Sequence, residues 1–113
     1  MSVRAPQSFR RGLPEDPIAA ALDHEVMGEK VATYVRLNDA LAKALRRLAR
    51  HDEKAAAGEQ TVERNRDTLV DCAAKALWHV VVQRDLMRLP GTERYLRDMG
   101  VPREVRLRMG VMR

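Results

Sequence analysis

The stretch LVDCAAKALWHVVV, residues 69–82, decides how this chain folds. Its polar residues Asp71, Lys75 and His79 fall four apart, so on a helix they form one narrow line and the remaining surface is apolar. A helix of that kind needs cover on most sides. The sequence offers one other long helical pattern to supply it, so the segment predicts association with a second copy or a partner. Val70, Leu77, Trp78 and Val81 are the residues expected at that interface.

Upstream, apolar positions run Met27, Val31, Tyr34, Asn38, Leu41, Leu45, Leu48, alternating steps of four and three. This is a heptad seam with an amide at one core position, and Asn38 is expected to fix register or oligomeric state. In an antiparallel arrangement it falls level with Trp78–Val82, where the Trp78 N–H or a symmetry-related Asn38 could pair with it. Asp16 before Pro17 supplies a helix start, an N-cap acceptor followed by a residue with preset φ. Gly58 closes the first helix in the left-handed cap position and Thr61 caps the second. Two long helices joined so briefly fold back antiparallel, giving a hairpin over about residues 16–89.

The tail contains two short helical pieces, Thr92–Met99 closed by Gly100 and Pro102–Met109 closed by Gly110. Each is too short to hold alone, so both are expected to clasp the hairpin over residues 90–113. Residues 1–15, with three arginines and no periodicity, read as a flexible basic arm. Residues 16–113 then form one all-α domain: a long antiparallel hairpin with short C-terminal helices. A symmetric dimer would make it a four-helix bundle.

Composition bounds the chemistry. Aromatics are 4 % of the 113 residues, so the core must be built from Ala, Val, Leu and Met, which suits closely packed helices. The net charge of +5 sits mainly in residues 90–113, which carry six bases and three acids. Lone Cys72 excludes a disulfide framework within the chain and reads as a buried thiol in a reducing cytoplasm. No apolar run is long enough to span a bilayer, and no secretory leader is evident. His24, His51 and His79 have no metal-ligand partner at helical spacing, and neither a nucleophile elbow nor a phosphate-binding loop occurs. No cofactor, metal or catalytic residue is expected.

Two basic groups remain candidates for anion or nucleic-acid contact. Lys43, Arg46, Arg47 and Arg50 form a stripe on the outer face of the first helix, without aromatics for base stacking. Arg103, Arg106 and Arg108 lie in YLRDMGVPREVRLRM, residues 95–109, which resembles a helix-turn-helix reader. It departs from that pattern in placing Arg106 where an apolar residue is usual and in stopping at Gly110. Chain size, with Arg36, Lys43, Arg47 and Gln83, also resembles the small all-helical chorismate mutases, which are intertwined dimers with an arginine-lined pocket. The N-terminal motif of that family is missing, so no catalytic residue carries over.

LVDCAAKALWHVVVQRDL at 69–86 and YLRDMGVPREVRLRMG at 95–110 together resemble a family of small uncharacterised helical proteins of alphaproteobacteria. The resemblance implies a bacterial cytoplasmic protein and no known activity. The expectation is a non-enzymatic, oligomerising interaction or regulatory module, a homodimer without a membrane partner. A nucleic-acid-binding dimer ranks second and a small-molecule enzyme third.

Overall fold

A computed structural model describes residues 16–60 and 63–112, and every regular element among them is helical. The elements are α1 (Pro17–Ala56), α2 (Glu63–Leu86), α3 (Thr92–Asp98) and α4 (Arg103–Met112). The basic arm expected at 1–15 and the Thr61 cap fall outside the described residues. The chain divides into two compact units, Met1–Val31 and Ala32–Arg113.

Helix ends follow from local chemistry. Asp16 Oδ1 accepts from the Ile18 N–H at 3.0 Å, leaving Pro17 in the first turn where its missing donor costs nothing. At the far end of α1, Gly58 has φ 84°. Its N–H donates to Ala55 O and that of Glu59 to Lys54 O, the paired 5→2 and 6→1 bonds of a Schellman cap. Gly100, at φ 68°, repeats the arrangement after α3.

α2 stops earlier than Pro90-Gly91 suggests. Arg88 takes the left-handed position at φ 55°, its N–H donating to Asp85 O and that of Leu89 to Arg84 O. A side chain there is strained where glycine would not be. Gly110 does not end the last helix: α4 continues through it to Met112. Gly28 likewise lies inside α1.

In the second unit α1 and α2 run antiparallel. Asp52 meets Arg66 and Tyr34 meets Arg84, and the two numbers of either pair add to 118. In that register Glu63–Leu86 lies opposite positions 32–55 of α1. The core consists of Leu41 and Leu48 from α1, Val70, Ala73, Ala74, Leu77 and Val80 from α2, with Leu96 and Val105 from α3 and α4. α2 and α4 pack closely against each other. Ala73 and Ala74 of α2 are both fully buried in this core.

Three arginines bind α4 to its neighbours. Arg66 of α2 grips Asp52 of α1 with Nε at 2.9 Å and Nη2 at 3.3 Å, and Glu104 of α4 with Nη1 at 2.8 Å. Arg106 reaches both carboxylate oxygens of Glu93 on α3, at 2.7 and 2.8 Å. Arg108 pairs with Asp71 at 2.6 Å and lies 3.6 Å from Asp67, both on α2. Hydrogen bonds from Arg66 hold the Asp52 and Glu104 carboxyls below their ordinary range. The hairpin and its clasp are thus closed by one chain.

Candidate functional site

The residues expected at a subunit interface are mostly used up inside the chain. Val70 and Leu77 are 0 % exposed, so neither offers surface to a second copy. α4, rather than another subunit, covers that face of α2. Val81 is half-buried against the core, and Trp78 is half-buried with its ring edge on His79 at 5.2 Å. Asn38 finds a partner within the chain, its Oδ1 accepting from the Tyr95 hydroxyl. That pairing, from a residue of α3, replaces both partners expected for it. Cys72 is exposed rather than buried, because it lies beside the polar line of α2.

The Asn38–Tyr95 pair belongs to a cluster around Arg84, which sequence reading missed. Arg84 is only 7 % exposed, yet its guanidinium meets no carboxylate among the described residues. Instead it donates to Tyr34 Oη at 2.7 Å, Pro90 O at 2.9 Å and Thr92 Oγ1 at 3.2 Å. Its carbon also stands 4.5 Å from the Tyr95 ring centroid and 5.9 Å from that of Tyr34, within cation–π range. Burial and the nearby Tyr34 push the Tyr95 phenol up to about 12, and Arg84 opposes that shift. Its three hydrogen bonds go to Pro90 and Thr92 around the α2–α3 turn and to Tyr34 of α1, so the cluster fixes the turn to the hairpin. A buried Arg near the end of an apolar helix was the signal available, but nothing local distinguished it from a surface cation.

The basic residues separate into two groups. In α4, Arg106 and Arg108 are engaged in the ion pairs that hold the clasp. Arg103 lines a cavity of about 690 Å³ between the end of α2, α3 and α4, with Val81, Leu96 and Met109 on its apolar side. The helix expected to read DNA is therefore held against α3 by Arg106 and against α2 by Arg108. On α1, Lys43, Arg46, Arg47 and Arg50 are all exposed. Only Arg47 and Arg50 enter a second concavity, joined there by His51 and Lys54.

His51 is unusual in that concavity. Its side chain is 12 % exposed, and both ring nitrogens are closed to water without a hydrogen-bond partner. Asp52 Oδ1 lies 3.7 Å from Nδ1, too far to bond, and is held by Arg66 instead. Leaving a buried donor unmade costs about 1–3 kcal/mol.

Unclaimed apolar surface lies on the first half of α1. Ile18 is 72 % exposed, and Leu22, Val26, Met27 and Val31 are between 46 and 55 % exposed. Ile18, Leu22 and Val26 follow at steps of four, as do Met27 and Val31, which places them in two adjacent rows. Most of the surplus inferred for the second helix is thus found on the first, with Val35, Leu86 and Leu107 also exposed.

The family profile described as a family of unknown function, DUF6665, matches residues 1–113. The chain belongs to this family. No curated protein and no solved structure matches it. Among the described residues of this DUF6665 chain, no helix is long and apolar enough to cross a membrane. No group of three His, Cys, Asp or Glu side chains is placed there to hold a metal ion.

Proposed function

We propose that the protein is a non-enzymatic, cytoplasmic interaction module that works as a homodimer through the first half of α1. The observation that carries this reading is the set of exposed large side chains from Ile18 to Val31. A surface of that kind in contact with water favours association. Within the second unit, the register of the hairpin sets α2 against positions 32–55 of α1.

Charge favours a second copy as the occupant. Residues 17–31 carry three acids and one base, whereas 32–56 carry six bases and three acids. Two copies of α1 laid antiparallel place the acidic, apolar half of either beside the basic half of the other. Such a pairing is isologous and closes on itself, as a two-fold dimer requires.

Light scattering on a sizing column, at low and high salt, tests the reading. A dimer is expected, converted to a folded monomer by Leu22→Asp. A stable, well-folded monomer of the unaltered chain at micromolar concentration would overturn it. A salt-sensitive excess of nucleic-acid absorbance would instead favour a nucleic-acid-binding dimer, the second reading. The ion pairs of Arg106 and Arg108 weigh against that one.

A further inference from the structure

We propose that the pocket between the last turns of α1 and the start of α2 binds a small phosphate-bearing anion. Arg47, Arg50, His51 and Lys54 follow at steps of three, one and three, which places them on one face of α1. All four line a pocket of about 370 Å³ whose opposite wall is supplied by Asn65, Thr68 and Leu69 of α2. No carboxylate lines it. None of Arg47, Arg50 and Lys54 has an acidic partner among the described residues, and the adjacent Asp52 is held by Arg66 at 2.9 Å.

Three like charges around a concavity repel one another until a counter-charge enters. A phosphate group supplies two negative charges and several acceptor oxygens. The guanidinium forks of Arg47 and Arg50 match that geometry, and Lys54 adds a mobile point charge. His51 closes the floor of the pocket between them, its ring nitrogens sealed from water, so the anion would meet Arg47, Arg50 and Lys54.

The shape selects among phosphate carriers. The pocket is local and concave, and no Phe, Tyr or Trp lines it to stack a base, so it suits one phosphate group better than a nucleic-acid strand. Leu69 gives a short apolar wall against which the carbon of a phosphate monoester could rest.

Calorimetric titration of the full chain with inorganic phosphate and with adenosine monophosphate, at constant ionic strength, tests the proposal. Saturable one-to-one binding is expected. Arg50→Gln should weaken it by about tenfold or more, the loss of a charge-assisted contact. Arg46→Gln removes the same charge from an exposed position outside the pocket and should weaken it less than about twofold. Lys54→Gln removes the third charge of the lining and should also weaken binding, with the helical circular dichroism unchanged. Tighter binding of the nucleotide would identify a phosphate monoester as the ligand, and equal binding would identify free phosphate. Equal losses in Arg46→Gln and Arg50→Gln, no saturation at millimolar phosphate, or a preference for duplex DNA or RNA would each overturn the site. Repeating the titration on Leu22→Asp separates phosphate binding from dimerisation.

Discussion

The two halves of α1 have similar apolar content and opposite fates. From position 32 onward, Leu41 and Leu48 are at most 2 % exposed beneath α2 and the C-terminal helices. Before it, Ile18, Leu22, Val26, Met27 and Val31 all face solvent. Both halves are helical and both keep their apolar spacing, so local propensity does not separate them. What separates them is the partner helix of the second unit: the 24 residues of α2, about 36 Å long, lie along positions 32–55. An apolar pattern sets where cover is wanted, and the partner helix sets where it is given.

The largest test of that contrast is truncation in either half. Leu41→Ala should cost about 2–5 kcal/mol in urea unfolding, because a fully buried side chain leaves a cavity. Leu22→Ala should change the stability of the isolated chain by about 0.5 kcal/mol or less. If the first half of α1 pairs with a second copy, its effect appears instead as a weaker dependence of the unfolding midpoint on protein concentration.

Next comes the residue where cover ends. Arg84 bonds Tyr34, close to the last position of α1 that α2 reaches. Arg84→Ala should cost about 2–3 kcal/mol, since it strands the Tyr34 hydroxyl and the Pro90 carbonyl. An unchanged unfolding midpoint would mean that the cluster does not hold the turn.

Tyr95 gives a pH test of the same cluster. Its phenol is pushed up to about 12 in the folded chain, against the ordinary value near 10. The unfolded chain therefore releases this proton first. The stabilisation is complete below about pH 10 and is lost as pH rises toward 12. Tyr95→Phe should flatten that alkaline loss, and should cost about 1 kcal/mol at neutral pH by leaving the Asn38 carbonyl without its donor.

The smallest effect is a gain. Arg88 holds φ 55° at the cap of α2, and Arg88→Gly should stabilise the chain by about 1 kcal/mol by removing the left-handed strain. A loss there would show that the Arg88 side chain contributes more than its backbone costs.

Much of this was legible in the residues. Asp16-Pro17, Gly58 and Gly100 marked helix ends because backbone dihedrals and orphaned N–H and C=O groups are local matters. The antiparallel fold-back also followed, and the level assigned to Asn38 agrees with the observed register. The Arg88 cap was hidden, since only the structure shows a non-glycine residue accepting positive φ. The pocket lies between these cases. The basic stripe was visible as Lys43, Arg46, Arg47 and Arg50, but periodicity alone could not divide it. His51 and Lys54 share the face of Arg47 and Arg50, and the start of α2 makes that face concave.

The sequence by itself determined an all-α chain, the helix ends at Asp16-Pro17, Gly58 and Gly100, and the presence of more apolar surface than one hairpin can bury, because these depend on spacing and composition. Only the tertiary structure decided where the surplus remains. The C-terminal helix packs along α2, with Arg106 and Arg108 committed to the clasp, and Val70 and Leu77 of residues 69–82 are buried within the chain. Side chains far apart in sequence make that choice, by packing into one core and pairing opposite charges.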